Sequence, residues 1–316
     1  METNKKTPRT PLLSAELAGA LALGLTVLSW AGLFLSLRAG AKAALPVGEL
    51  AVFRFLPAAL CFLPVLWRRW HRIMAVPWPL LLVIVCGAGF PFFWLAGIGM
   101  RFASVADGST LVPGALPLFV SLLAFLFLGQ KITPTGRNGL LLILIGVLLM
   151  IAFSVNQAAA GLWQGYALFL FGSLLWAAFT LALRRSGLEA LEGAAVVTYG
   201  SIALLVIHLL FSGEPLQLPD LPFNVLATQF LLQGIGVGLV STISYAYAVA
   251  KLGANRASLV GALTPVVSTL IAIPFLGEVP PASAILGMAL IIAGIALTNR
   301  PPRFQERCHP FDSSIR

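Results

Sequence analysis

RFASVADGSTLVPGALPLFVSLLAFLFLGQKIT, residues Arg101–Thr133, decides the fold. Small residues open it, an apolar run long enough to cross a bilayer follows, and a Leu-Gly-Gln turn closes it. Pro117 stands ten residues after Asp107. On a helix that is about 15 Å, which places the proline near the membrane midplane. The same design returns 148 positions later as KLGANRASLVGALTPVVSTLIAIPFLGEVP, Lys251–Pro280. Asn255 takes the place of Asp107, Pro265 that of Pro117, and Gly277 that of Gly129. The match runs on without a gap, carrying Gly139 and Gly146 onto Gly287 and Gly294. Nearer the N-terminus, Trp30, Ala31 and Arg38 recur 146 positions on as Trp176, Ala177 and Arg184. Leu and Ala matches are common in membrane helices; matches of Pro, Gly, Trp and Arg mark a true internal repeat.

Cutting the chain at its charged and turn-rich breaks gives about ten apolar stretches. They fall near 15–37, 46–67, 77–99, 104–128, 136–154, 161–183, 193–212, 223–249, 256–276 and 282–299. Alternate loops collect the cations: Lys5, Lys6 and Arg9; Arg68, Arg69 and Arg72; Lys131 and Arg137; Arg184 and Arg185; Lys251 and Arg256; then Arg300, Arg303, Arg307 and Arg316. The opposite loops hold Arg38, Lys42 and Arg101. Basic loops stay cytoplasmic, so the sequence predicts both termini inside, at the inner (plasma) membrane. The expected organisation is a cytoplasmic tail over 1–14, five-helix repeats over 15–154 and 161–299, and a second cytoplasmic tail over 300–316.

Composition excludes most other classes. Of 316 residues, 59% are hydrophobic and 10% charged, with mean hydropathy +0.96; a soluble domain carries about a quarter charged residues. The net charge of +9 resides in short loops beside lipid head groups and does not imply nucleic acid. Cys61, Cys86 and Cys308 form no disulfide framework. No metal-binding, nucleophile or phosphate-loop motif occurs, so neither an enzyme nor a cofactor is implied.

An odd number of spans per repeat forces the second copy into the membrane upside down. The charges agree: the loop after the fourth span carries Lys131 and Arg137, and its counterpart carries Glu278. The predicted fold is therefore an all-α integral membrane protein, with about ten transmembrane helices as two inverted five-helix repeats around a central cavity. Such repeats characterise secondary transporters that work by alternating access.

The two quoted stretches, together with Ser29–Trp30–Ala31–Gly32 and Val52–Phe55 (VFRF), resemble the drug/metabolite transporter superfamily, specifically a ten-helix carrier of two EamA-type halves. The resemblance covers residues from about 15 to 299. It implies export of small organic metabolites such as amino acids. Gln130 departs from the pattern, standing where the family carries Glu, whereas Glu278 keeps it.

Several residues carry candidate roles. Asp107 and Asn255 are helix-cap residues by type and position. Pro117 and Pro265 are hinge or cavity-wall residues, because each frees a carbonyl at midplane depth. Arg54, the basic residue within a span, either snorkels to the interface beside Glu49 or meets a substrate acid group; the resemblance favours the second. Gln229, Gln233, Ser244 and Tyr247 share one face at 100° per residue, turned either to substrate or to neighbouring helices. Trp30 and Trp176 lie midway along their spans beside hydroxyls, as a cavity lining would. Tyr199, Trp94 and His208 are weaker candidates. No Asp or Glu lies mid-span, which argues against cationic drug substrates.

The reading is a secondary active exporter of small metabolites, with the lipid bilayer as its setting and a proton as candidate coupling ion. A carrier or flippase for a phosphorylated or lipid-linked substrate, and a non-transport membrane component, stay open as alternatives. Whether the chain is a monomer or homodimer is not written in it.

Overall fold

The computed structural model describes residues 12–132, 134–156, 161–213 and 217–299. Most of both expected tails and of the seam between the repeats lies outside the described residues, although the first helix already begins at Leu12. Every regular element among the described residues is helical. Eight apolar stretches are long enough to cross a bilayer, and Thr264–Leu276 and Ala282–Thr298 are shorter apolar helices.

The first two spans are single helices, α1 (Leu12–Lys42) and α2 (Val47–Met74). The next two are each built from two helices. In the third, α3 (Trp78–Ala88) ends at Gly89 and α4 (Phe90–Phe102) restarts on Pro91. The break frees the Phe90 N–H, which donates to Ser201 Oγ at 2.9 Å. A buried amide must find such a partner inside a membrane. In the fourth, α5 (Val105–Gly114) stops at Ala115 and α6 (Leu116–Leu128) begins with Pro117 in its first turn. Then come α7 (Pro134–Asn156), α8 (Leu162–Ser186) and α9 (Ala190–Phe211).

Breaks recur at matching positions further on. The eighth span runs from α10 (Phe223–Gln229) through an eleven-residue π-helical segment, Phe230–Val240, into α11 (Ser241–Leu252). In the ninth, α12 (Ala254–Gly261) and α13 (Thr264–Leu276) are separated by a turn, with Pro265 in the first turn of α13. The tenth is α14 (Ala282–Thr298). Proline without its N–H starts a helix well and continues one badly, so both prolines stand where a new helix begins rather than at a kink. Gly129 and Gly277, at φ 62° and 66°, close α6 and α13 in left-handed turns.

The cap assignment is corrected. The N-cap of α5 is Ser104, and Asp107 is the third helical residue of a capping box: its Oδ2 accepts from the Ser104 N–H at 3.0 Å and the Ser104 hydroxyl at 2.7 Å. The helix begins earlier than expected because Ser104 reaches the Asp107 N–H at 3.2 Å. Asp107 Oδ1 is free to accept from Tyr166 Oη on α8 at 2.7 Å. The Asn255 side chain lies outside the described residues, and α12 already starts one residue before it.

Glycine sets the closest helix contact. A Cβ on Gly139 would stand 2.7 Å from the Gly294 carbonyl oxygen, and one on Gly146 would stand 3.0 Å from that of Gly287. α7 and α14 thus pack backbone to backbone, the mode small residues permit in membranes. Phe34, Phe55, Phe93, Phe169, Leu111 and Ile291 fill the core between the helices.

Candidate functional site

A string of aromatic rings runs through the middle of the bundle. Trp30 on α1 meets Trp176 on α8 edge to face, centroids 6.3 Å apart, and Tyr245 on α11 at 5.2 Å. Trp176 in turn touches Phe92 on α4 at 5.3 Å, and the adjacent Phe93 meets Phe55 on α2 at 5.9 Å. Both tryptophans are half-buried rather than sealed. Gly261 at the end of α12 faces the Trp30 ring, where a Cβ would be 3.3 Å away.

Arg54 stands at the end of this string. Its guanidinium lies 5.8 Å from the centroid of Phe55, and Nη1 is buried with no hydrogen-bond partner. Gly238 lets the π-helical segment approach the Arg54 carbonyl, with 3.2 Å to a would-be Cβ. Glu49 does not pair with Arg54: its Oε1 accepts from the Gln217 N–H at 2.5 Å. A buried guanidinium edge without a counter-charge is an attraction for an anionic group.

The polar stripe divides. Ser36 on α1 donates to Gln229 Oε1 and accepts from Gln233 Nε2 at 2.9 Å. Gln233 Oε1 remains buried without a partner. Lower on α1, Thr26 Oγ lies 2.9 Å from the Ala22 carbonyl and 2.8 Å from Ser244 Oγ. A hydroxyl has one proton to give, so with Thr26 bonded to Ala22 it accepts from Ser244. Gln229, Gln233 and Ser244 therefore fasten the eighth span to α1.

Tyr247 does not join them: it is 43% exposed, with the Lys251 ammonium 5.6 Å from its ring centroid. Ser244, Tyr245 and Tyr247 all stand on the regular helix α11. Tyr245, one residue on from Ser244 and about 100° around the helix, meets Trp30 instead.

The other candidates are dispersed. Tyr199 donates to the Ala59 carbonyl at 2.7 Å, Trp94 is 37% exposed, and His208 packs on Phe90 with Nε2 buried and unbonded. Pro117 lines a crevice of about 290 Å³ with Ser121, Gln130, Lys131 and Thr298; Pro265 is buried.

A charge cluster gathers at one end of the bundle. Glu278, just beyond α13, accepts from Arg38 Nε at 2.6 Å, lies 3.2 Å from Lys42 Nζ and accepts from the Val105 N–H at 3.0 Å. Arg38 also donates to the Met100 carbonyl at 2.5 Å, and Lys42 to that of Leu276 at 2.8 Å. Burial alone would raise the Glu278 pKa, but the Val105 amide and the Arg38 and Lys42 cations outweigh it and hold it below the ordinary carboxylate value. α1, α4, α5 and α13 are tied together here.

The fold and these features define a polytopic helical membrane protein with an aromatic interior that Arg54 adjoins. The chain belongs to the EamA-like transporter family, whose model matches twice, over residues 17–152 and 163–300. It is 28% identical over 297 residues to a "Probable terminal-alkyne amino-acid exporter" of Streptantibioticus cattleyicolor, covering 88% of this chain and 92% of that protein. It is likewise 28% identical over 281 residues to the "Uncharacterized transporter YdfC" of Bacillus subtilis, covering 85% and 87%. A solved crystal structure 22% identical to it superposes with a TM-score of 0.57 over 90% of this chain and 97% of its own, a likeness of fold.

Proposed function

We propose that this member of a transporter family is a secondary active exporter of small organic acids of the amino-acid type, working by alternating access. The observation that carries the reading is Arg54: its buried, unpartnered Nη1 beside a string of half-buried aromatic rings. The guanidinium takes the substrate acid group, and Trp30, Trp176 and Tyr245 take its apolar body. The relative named a probable terminal-alkyne amino-acid exporter supports this substrate class. One guanidinium beside the rings favours a carboxylate over a phosphorylated or lipid-linked cargo.

The repeats are inverted copies of about five spans each, with boundaries at 15–154 and 161–299, ten spans in all, and cytoplasmic termini in the inner membrane. Support comes from the two family matches, the helix breaks before Pro117 and Pro265, and the glycine contacts of α7 with α14. Those contacts are reciprocal: advancing Gly139 and Gly146 by 148 positions gives Gly287 and Gly294, so one pair maps onto the other. Discontinuous helices around the centre suit halves that rock.

Uptake by proteoliposomes tests the reading, using labelled amino acids, nucleosides and sugar phosphates with and without a proton gradient. Protein-dependent movement of amino acids that Arg54→Gln reduces at least roughly tenfold, the scale of one charge-assisted hydrogen bond, is expected. Movement of none of the panel, or equal movement by the Arg54→Gln protein, overturns it.

A further inference from the structure

We propose that the two faces of this transporter are closed by unequal latches: an ionic one built on Glu278 and a neutral counterpart built on Gln130, so that the resting protein favours the conformation open on the basic-rich, cytoplasmic face. The inference rests on the alternating-access reading above.

The ionic latch joins the halves through three groups on one carboxylate. Arg38 and Lys42 close α1 against Glu278, and the Val105 N–H brings in the start of α5. Arg38 and Glu278 are 19% and 13% exposed, so water screens their contact weakly. α1 also packs on both α4 and α5.

The internal repeat says what should sit at the other face. Arg38 corresponds to Arg184, Glu278 to Gln130 and Lys42 to Leu188. One of the two cations and the carboxylate are gone. A Gln can offer Arg184 only a neutral acceptor, where Glu would offer an opposite charge and an ion pair. At this face the two groups stay apart: Gln130 and Arg184 are exposed, and neither side chain has a hydrogen-bond or ion-pair partner among the described residues. α8 makes no contact with α11 or α12 as broad as that of α1 with α4 and α5. Two latches of equal strength would leave the halves balanced; this pair tilts the equilibrium toward the state in which Glu278 is engaged.

Pulsed electron spin resonance on nitroxide pairs in nanodiscs tests the proposal. On a background with Cys61, Cys86 and Cys308 replaced, one pair at Ala43→Cys and Val279→Cys reports the Glu278 face, and another at Lys131→Cys and Arg185→Cys reports the opposite one. The starting protein should give a short distance for the first pair and a long one for the second. Glu278→Gln should raise the long-distance fraction of the first pair about tenfold, the weight of one lost charge-assisted contact. Gln130→Glu, at an exposed position, should raise the short-distance fraction of the second pair while lengthening the first. Distances unmoved by both substitutions overturn the latch. A second pair that shortens in Gln130→Glu without any lengthening of the first keeps the latch but overturns the alternation on which it rests.

Discussion

Gly139 lies against the main-chain carbonyl of Gly294, and the equivalent pair, Gly146 and Gly287, repeats the contact further along α7 and α14. The Cβ of an alanine at 139 would also stand 2.5 Å from Thr298 Cγ2 and 2.7 Å from the Thr298 nitrogen. Backbone cannot swing aside as a flexible side chain does, so the helices would have to separate.

Gly139→Ala and Gly294→Ala should each destabilise the protein by about 1–3 kcal/mol, the range for overpacking. Gly24→Ala is the control, since nothing lies within 4 Å of a Cβ there. It should be neutral or gain up to about 1 kcal/mol in helix propensity. Thermal melting in mild detergent reads all three; equal melting points would remove the glycine contact as a determinant of packing.

Ser36 is the second point of leverage. It serves Gln229 and Gln233 together, and all three are buried. Ser36→Ala strands an amide oxygen and an amide N–H, so a loss of about 1–2 kcal/mol is expected, above the ~0.6 typical of one membrane hydrogen bond. Gln233→Met, which removes the buried and unpartnered Oε1 as well, should cost less than Ser36→Ala. The reverse order in melting would show that Gln233 Oε1 finds a partner in the membrane.

Much of this was legible in the chain. The repeat, carried by Pro117 and Pro265, Gly139 and Gly287, and Trp30 and Trp176, needs only identities at fixed offsets, and the tryptophans do meet. What the sequence hid was which neighbour each group meets. Tyr245 reaches Trp30 while Tyr247 is exposed, and Gln229, Gln233 and Ser244 take their partners from α1; a face drawn from periodicity does not say which helix covers it. Asp107 misled differently: Ser104 and Asp107 are both good caps, and their reciprocal bonds decide which residue opens the helix.

The aromatic string yields a kinetic prediction. If Trp30 and Trp176 hold the substrate body, Trp176→Ala should raise KM for aromatic or long aliphatic amino acids by roughly tenfold, worth about one lost aromatic contact. Trp176→Phe should keep most of the affinity, and small substrates such as alanine should barely respond. A uniform fall in rate for every substrate, with KM unchanged, would instead assign Trp176 to packing.

The Glu278 latch should also respond to acid, and its sign follows from the bonds. The carboxylate is the group on which the Arg38, Lys42 and Val105 contacts converge. Burial alone would raise its pKa, but the Val105 N–H and the two cations leave it net below the 4.5 of a free Glu. A lowered value in the latched state means that latching contributes fully above the ordinary carboxylate range and fades as pH falls through the lowered one. The distance between nitroxides at Ala43→Cys and Val279→Cys should therefore stay constant from pH 7 down through the ordinary carboxylate range and lengthen only below it. Lengthening that begins near pH 6 would show that a group other than this carboxylate governs the latch. The acid limit is thus a measure of the carboxylate itself: Glu278→Gln should erase the transition and leave the long distance at every pH.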